Sequence, residues 1–357
     1  MQKTDDEILY TTTEQQIKKL KQQNLIIEND EYAKTHLEVF GYFNLIKGYR
    51  TPYIINSGNT LNYRSGVTFE QLTSLYLLDK NLRNAVIASM LDLEEHIKAS
   101  SADVVADSFG IHQDDYLNFR NYRDKKRRKC QFTLAGIMQT MKNSLNTDKN
   151  PVLHYRNIHG IIPPWVLFKN LYFSTVVNLI NLFKPREKEK MVHHLYDTDT
   201  LELPVENLKN IMMDTLFICL EYRNLAAHGG RVYNYSCESK FRIRNFDPNI
   251  TRDDEPRGFS QLLFLLSLLK YKKPLEDLQD TINQEVNRHC LQFPEDVTYL
   301  GQILNVNIIP QNIVWITEKS NKFHADSYCS GIKNAIQITY EDAVSKGYVA
   351  CKRCIHN

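Results

Sequence analysis

An arginine and a histidine in the second half of the chain could carry out phosphoryl chemistry together. Arg223 and His228 stand at the two ends of the segment Arg-Asn-Leu-Ala-Ala-His, and Gly229 and Gly230 follow it. Histidine titrates near neutrality, so its ring can accept the proton of an RNA 2′-hydroxyl or donate one to the leaving oxygen. Arginine stays charged and can hold phosphoryl oxygens with two parallel hydrogen bonds. The pair therefore suits cleavage of RNA by its own 2′-hydroxyl, a reaction that needs no metal ion.

The spacing of this pair requires a break in the regular helix. Side chains five residues apart on a continuous helix point about 140° apart, so Arg223 and His228 would not share a face. The two glycines end the helix and leave the histidine at its last turn, where the long arginine can reach over. Asn224 could then fix the arginine or contact the ribose. A histidine that only caps the helix end, favoured by the helix dipole, is the alternative interpretation.

Two predicted helices must position this motif, within a mainly α fold. The composition, with 42% hydrophobic and 24% charged residues, is that of a folded globular protein. Apolar residues recur at helical spacing from a capping box at Thr68 and Gln71 to about Ala106. A second such pattern starts at Pro204 and ends at the glycine pair. Similar reasoning predicts one continuous helix over residues 166–183 and a surface loop over residues 56–64.

The first of these helices carries acidic residues that could support the arginine. Asp79 falls on its buried stripe, and Arg83 lies one turn further on, so an i,i+4 ion pair is available. Glu94 lies near the same face. A role for Asp79 and Glu94 in positioning Arg223 and simple ion pairing along the helix both remain open.

The net charge excludes a protein that binds nucleic acid over its whole surface. The chain has 44 Lys and Arg against 42 Asp and Glu, a net charge of +2, so any RNA binding must use local patches. The most basic run includes Lys125, Lys126, Arg127 and Arg128, which could contact an RNA backbone or form a solvated surface. The N-terminal segment is polar, and the longest apolar run, residues 262–269, is too short for a membrane span. We therefore expect a cytoplasmic protein that does not contact a membrane.

Four residues near the end of the chain have the types and spacing of a zinc site. His324 and Cys329 are followed by Cys351 and Cys354, which form a C-x-x-C knuckle. Such a knuckle places two thiolates on one side of a tight turn, as a tetrahedral zinc ion requires. Four protein ligands leave no open position, so we expect a structural zinc ion that drives the folding of this short segment. His356 is an alternative ligand.

Several blocks of the sequence resemble two known families. The segment 221–234, EYRNLAAHGGRVYN, is similar to the characteristic motif of Abi-like proteins, the abortive infection D/F family, which belongs to the HEPN superfamily of helical ribonucleases. Further blocks match in order over residues 15–290, among them GYFNLIKGYRTPY and the Pro-Trp pair that opens a central helix. The segment 312–355 resembles the small zinc-binding domain of the Ada type. We therefore predict a helical domain over residues 1–300 and a zinc-binding module over residues 310–357.

The Abi-like resemblance implies a fold, an activity and partners. It implies a HEPN-like helical bundle with extra helices and a small α+β zinc-binding module at the end. The residues that it implies are the catalytic Arg223, His228 and Asn224, the supporting Glu94, Asp79 and Arg83, and Arg231 as an RNA contact.

The resemblance also implies a homodimer, because each chain carries one Arg-His pair. It further implies that the protein is an endoribonuclease toxin of phage defence or of a toxin-antitoxin pair. The expected product carries a 2′,3′-cyclic phosphate, and a small non-coding RNA is expected to restrain the enzyme. A non-catalytic protein that holds structured RNA in the same groove is the alternative. In a third interpretation, the helix that carries the motif only stabilises a dimer.

Overall fold

The structure, a computed structural model, describes residues 10–57, 60–124, 132–249, 256–306, 313–318, 320–324, 329, 332 and 334–354. These residues are mainly helical, with a few short strands, which confirms the predicted fold class. The chain divides into two compact units. The first contains Met1–Asn81, Ile282–Gln302 and Val306–Asn357, and the second contains Leu82–Thr281 and Ile303–Asn305. The predicted division into residues 1–300 and 310–357 stays a prediction.

The helices of the described residues are, in chain order, α1 Thr13–Gln22, α2 Asp30–Phe40, α3 Phe69–Phe109, α4 Gln113–Tyr116, α5 Leu134–Leu145, α6 Val152–His154, α7 Pro164–Lys169, α8 Phe173–Asn181, α9 Pro185–Leu195, α10 Thr198–Leu201, α11 Val205–Ala227, α12 Phe259–Ser267, α13 Lys273–Gln292, α14 Val297–Leu304 and α15 Tyr340–Ser345. Short π-helical segments span Phe43–Lys47 and Tyr155–His159, and 3₁₀ turns span Thr51–Tyr53, Phe119–Asn121, Ile243–Asn245 and Pro294–Asp296. The strands are β1 Ile54–Ser57, β2 Thr60–Tyr63, β3 Ile313–Ile316, β4 Lys322–Phe323, β5 Ile336–Thr339 and β6 Val349–Ala350. Among the described helices, none is long and apolar enough to cross a membrane.

In the first unit, α3 begins where the sequence predicts. The backbone N–H of Gln71 donates to Oγ1 of Thr68 at 3.1 Å, as in a capped helix start. The predicted surface loop over residues 56–64 is wrong, because β1 and β2 form an antiparallel hairpin in which Ile54 pairs with Tyr63. Each strand has four residues, which is too short for a clear alternation of polar and apolar side chains.

A buried polar network links α3 to the end of α13 in the first unit. Nδ1 of His289 faces Oγ of Ser74 at 2.9 Å, and its Nε2 faces Oδ2 of Asp296 at 2.9 Å. Asp296 also accepts a hydrogen bond of 2.6 Å from the hydroxyl of Tyr53. Burial works against ionisation of Asp296, but the hydrogen bonds from His289 and Tyr53 outweigh it and lower the pKa of Asp296. The network therefore satisfies polar groups that are almost fully buried.

In the second unit, α11 matches its prediction and the central helix does not. Helix α11 buries an apolar stripe that includes Ile211, Met212 and Leu216. The single helix predicted over residues 166–183 is wrong, since α7 ends at Lys169 and α8 begins at Phe173. The side-chain amide of Asn170 donates to the carbonyl of Val166 at 3.1 Å. The backbone N–H groups of Asn170 and Leu171 donate to the carbonyls of Leu167 and Phe168, so the chain leaves the helix through bonds three residues apart.

The end of the chain forms a small α+β arrangement. Strand β3 pairs with β5 antiparallel, and β4 pairs with β6 in parallel. Val314, Ile316, Phe323 and Ala343 form its small hydrophobic core. Strands β3 and β5 are rich in β-branched residues, which favour strands.

Candidate functional site

The end of α11 places His228 at the surface. His228 is the C-cap residue, with φ −92° and ψ 12°, and it is exposed. The backbone N–H of Gly229 donates to the carbonyl of Ala226 at 3.1 Å, and that of Gly230 donates to the carbonyl of Leu225 at 2.9 Å. These two bonds, with Gly229 at φ +71°, form a Schellman motif. The predicted helix stop at the glycine pair is confirmed.

Arg223 is paired with a buried carboxylate on α3. Its Nε lies 3.7 Å from Oε2 of Glu94, and Oε1 of Glu94 lies 2.7 Å from Nζ of Lys98. The side chain of Glu94 is 11% exposed and that of Arg223 is 33% exposed, so a buried acid holds a guanidinium that reaches solvent. Within the described part of the chain, neither Nε of Arg223 nor Oε2 of Glu94 has a hydrogen-bond partner. Their separation is longer than a hydrogen bond, so the two groups form an ion pair without a direct hydrogen bond.

Two other predicted residues lie at the same helix end. Asn224 is exposed, and its Oδ1 lies 3.5 Å from Nη1 of Arg223. Nη1 of Arg83, on α3, donates to the carbonyl oxygen of Gly229 at 2.8 Å. A cation at a terminal carbonyl satisfies an acceptor of the helix end and interacts favourably with the helix dipole. Arg83 therefore fastens the glycine that follows His228.

The other predicted site residues are Asp79, Arg231 and the basic run that starts at Lys125. Asp79 belongs to the first unit, where it is fully buried and accepts a hydrogen bond of 2.5 Å from the hydroxyl of Tyr49. Its support of Arg223 stays a prediction. Arg231 is exposed, three residues beyond His228. The predicted RNA contacts Lys125, Lys126, Arg127 and Arg128 lie outside the described residues.

The four predicted metal ligands come together near the end of the chain. The ligand atoms of His324, Cys329, Cys351 and Cys354 all lie within 4.8 Å of one another. Nδ1 of His324 lies 3.6 Å from Sγ of Cys354. Sulfur ligands around a tetrahedral zinc ion are roughly 3.8 Å apart, as follows from a Zn–S distance of about 2.3 Å. The four donors therefore fit a tetrahedral metal ion.

The thiols of this cluster favour a bound cation. A hydrogen bond from the backbone N–H of Arg353 lowers the pKa of Cys351 against the opposing effect of burial. Burial and the neighbouring thiols raise the pKa of Cys329 to about 11. The thiolate is therefore favoured at Cys351 over Cys329, and a second negative charge beside it is costly. A divalent cation would remove that cost.

The Arg-His motif lies in a segment that matches a known protein family. A model of the Abi-like protein family matches residues 35–234, more than half of the 357-residue chain. The chain belongs to the Abi-like protein family. No curated protein and no solved structure matches it. The Abi-like segment includes α3 and α11, and the metal-ligand cluster lies beyond it.

Within the Abi-like segment, the structure adds two residues that the sequence analysis did not assign. Lys98 pairs with the oxygen of Glu94 that does not face Arg223. The i,i+4 spacing between Glu94 and Lys98 could have indicated this ion pair. Glu221 accepts hydrogen bonds from the hydroxyl of Tyr235 and from the backbone N–H groups of Glu238 and Ser239, at 2.5 to 3.0 Å. It thereby fastens the segment that follows the motif to α11. These partners lie in irregular chain, and no local spacing predicts them.

Proposed function

We propose that this Abi-like protein is an endoribonuclease toxin that acts in abortive infection or another form of phage defence. The observation that carries the proposal is that the buried Glu94 pairs with Arg223 on the helix that ends at the exposed His228. A cation that is anchored on one side and solvent-accessible on the other suits the binding of a phosphodiester. The imidazole of His228 is exposed at the end of the same helix.

In the proposed reaction, the 2′-hydroxyl of RNA attacks the adjacent phosphorus, and the P–O5′ bond breaks. His228 takes the proton of the 2′-hydroxyl or gives one to the leaving 5′-oxygen. Arg223 holds the phosphoryl oxygens as negative charge develops on them. Asn224 fixes the guanidinium or contacts the ribose. The products are a 2′,3′-cyclic phosphate and a 5′-hydroxyl, and no metal ion takes part.

We further propose that two chains form a homodimer of the HEPN type. Each chain carries one Arg-His pair, and acid–base catalysis at a phosphodiester commonly uses one group to remove a proton and another to supply one. Two motifs brought together would provide both. A small RNA that binds the same groove would restrain the enzyme. Sedimentation analysis of the purified protein tests the dimer, and a monomer at micromolar concentration would contradict it.

The cleavage proposal is tested with purified protein and RNA, followed by end-group analysis of the fragments. We expect fragments with 2′,3′-cyclic phosphate ends, and we expect cleavage to be lost in His228→Ala and in Arg223→Ala. His193→Ala is the matched control, because it removes an exposed histidine from α9 in the same unit. Tight RNA binding without cleavage would instead support the non-catalytic RNA-binding alternative.

Chelation needs a separate control in this test. EDTA should leave cleavage intact if the reaction needs no metal, but EDTA could also unfold the metal-ligand cluster. Cys351→Ser removes a cluster ligand without chelator and separates the two effects. Loss of cleavage in EDTA together with full activity of Cys351→Ser would contradict a metal-independent reaction.

For the end module we propose a structural zinc ion held by His324, Cys329, Cys351 and Cys354, in an Ada-type arrangement. When bound, the ion cross-links the His324 region to the knuckle. Elemental analysis of the purified protein should give about one zinc per chain, because four ligands form one tetrahedral site. Cys354→Ser should lower that content, whereas Cys237→Ser, which changes a cysteine of the second unit, should not. Equal zinc content in all three proteins would contradict the assignment.

A further inference from the structure

A cavity lies near the start of α11, within the second unit. Its volume is about 320 Å³, and its lining comes from α8, from the first turns of α9 and α11, and from the chain around Arg123 and Arg242. Asn210, on its wall, is about 20 Å from Arg223 along the axis of α11, given a rise of 1.5 Å per residue. The cavity is therefore distinct from the Arg-His motif.

Cationic side chains dominate the lining of this cavity. It is lined by four of them, from Arg123, Lys188, Lys209 and Arg242, and by two carboxylates, from Asp214 and Glu206. Asp214 is occupied by Arg242, whose Nη2 donates to Oδ1 at 2.7 Å and whose backbone N–H donates to Oδ2 at 3.0 Å. Glu206 accepts a hydrogen bond of 2.8 Å from Lys209. The residues that line the cavity therefore carry four positive charges against two negative ones, and each of the two acids contacts a lining cation.

The cationic wall is built in part from buried groups. The side chain of Lys209 is 9% exposed and lies between Glu206 and Glu189. Burial disfavours its charged form, but the two carboxylates outweigh burial and raise the pKa of Lys209, so it stays charged. Asp214 is also 9% exposed at its side chain, and it fixes the guanidinium of Arg242. A buried lysine and a fixed arginine are features of a preformed site rather than of a mobile surface.

Two helix starts at this cavity add to its preference for an anion. Pro185 is the first residue of α9, and Glu206 lies in the first turn of α11; both line the cavity. Neither helix has a side-chain cap on its N-terminal N–H groups. Uncapped N–H groups and the positive end of the helix dipole attract anions.

We propose that this cavity binds a phosphorylated nucleoside. The phosphate lies against Arg123 and Lys188, and the base lies against the apolar side formed by Met213 and Phe217. A space of this size suits one nucleotide and not a duplex. The nucleotide is either free or the 5′-phosphorylated end of an RNA strand, and the chemistry of recognition is the same for both. The proposal does not depend on ribonuclease activity.

The test is isothermal titration calorimetry on the full-length protein. The probes are AMP, GMP, CMP, UMP, inorganic phosphate and a short 5′-phosphorylated RNA, the last with His228→Ala protein so that the RNA stays intact. We expect saturable binding of at least one nucleotide probe, weakened about tenfold by Arg123→Ala, because the loss of one charged phosphate contact costs that order of affinity. Lys188→Ala should act in the same direction.

Matched variants separate a specific site from general attraction. Arg186→Ala removes an equal charge from the first turn of α9 but does not line the cavity, so it should leave binding unchanged. Phe217→Ala should weaken nucleotide binding and leave phosphate binding as it is. Binding of mononucleotides indicates a free ligand, and binding of the RNA alone indicates a strand end. The proposal is overturned if no probe binds at millimolar concentration, if Arg186→Ala weakens binding as much as Arg123→Ala, or if phosphate binds as tightly as every nucleotide.

Discussion

At the scale of single residues, the candidate site depends on how one buried carboxylate is shared. Glu94 gives one oxygen to Lys98 at 2.7 Å and the other to Arg223 at 3.7 Å. The shorter contact fixes the carboxylate, and the longer one leaves the guanidinium able to move toward a phosphate. The sequence indicates an acid near the arginine, but the division between its two oxygens depends on tertiary packing.

Removing this carboxylate should affect both stability and cleavage. Glu94→Ala leaves the mostly buried ammonium of Lys98 without its partner, which should cost about 1 to 3 kcal/mol in the free energy of unfolding. Urea denaturation measures that change. Cleavage should fall more than RNA affinity does, because Arg223 loses the group that orients it. Glu95→Ala, at the exposed neighbouring position, is the control, and equal losses in both variants would argue against a special role for Glu94.

At the scale of elements, the end of α11 depends on glycines at two positions for different reasons. Gly229 has φ +71°, which most other residues adopt only with strain. A Cβ on Gly230 would lie 2.3 Å from Cδ1 of Leu225 and 3.0 Å from its carbonyl oxygen, too close to be accommodated without a shift.

The stability of Gly229 variants should therefore follow the tendency of the new residue to adopt a left-handed backbone conformation. Gly229→Ala should lower the free energy of unfolding by about 1 kcal/mol, and Gly229→Asn should lower it less, because asparagine tolerates this conformation. Thermal or urea denaturation gives the order. A larger loss for asparagine than for alanine would mean that backbone conformation does not govern this position.

Glu221 should make the attachment of the segment after α11 sensitive to acid. Burial disfavours its carboxylate, but the hydrogen bonds from Tyr235 and Ser239 outweigh burial and lower the pKa of Glu221 in the folded protein. A folded-state pKa below the unfolded value gives stability that is present above about pH 4 and is lost as pH falls through the folded value. Urea denaturation should show Glu221→Gln less stable than the wild type at pH 7, with a smaller difference at pH 3.5. Glu238→Gln, whose backbone rather than side chain makes the contact, should match the wild type at both values.

Elements with strong local signals could be predicted, and those decided by distant or single side chains could not. Proline at the start and paired glycines at the end define α11 in the sequence, and the structure agrees. The break after α7, where the backbone N–H of Leu171 donates to the carbonyl of Phe168, leaves no mark in the helical periodicity. The cluster of His324, Cys329, Cys351 and Cys354 was predictable from residue type and order, and the C-x-x-C pair within it fixes its own local geometry. The partners of Glu221 were not, because they lie in irregular chain.

At the scale of the whole molecule, the family match and the metal-ligand cluster occupy different parts of the chain. The Abi-like segment covers residues 35–234, and the cluster begins at His324. If metal binding drives the folding of the end segment, removing the ion should expose that segment alone. Limited proteolysis after chelation should therefore cut first within residues 313–354 and leave a fragment near 1–300. Initial cuts inside α11 would contradict the predicted division. Repeating the digestion after adding zinc back should restore resistance.

The buried polar network of the first unit contains the three residue types of a hydrolase triad. Ser74, His289 and Asp296 form a serine–histidine–aspartate chain with 2.9 Å on each side of the imidazole, but Nδ1 faces the serine and Nε2 the aspartate, the reverse of a hydrolase triad. The serine is 5% exposed and the histidine 0%, so no ester could reach them. A fluorophosphonate should leave Ser74 unmodified in the native protein. The three groups therefore stabilise the packing of this unit, and a nucleophile would also need a path from solvent to the serine hydroxyl.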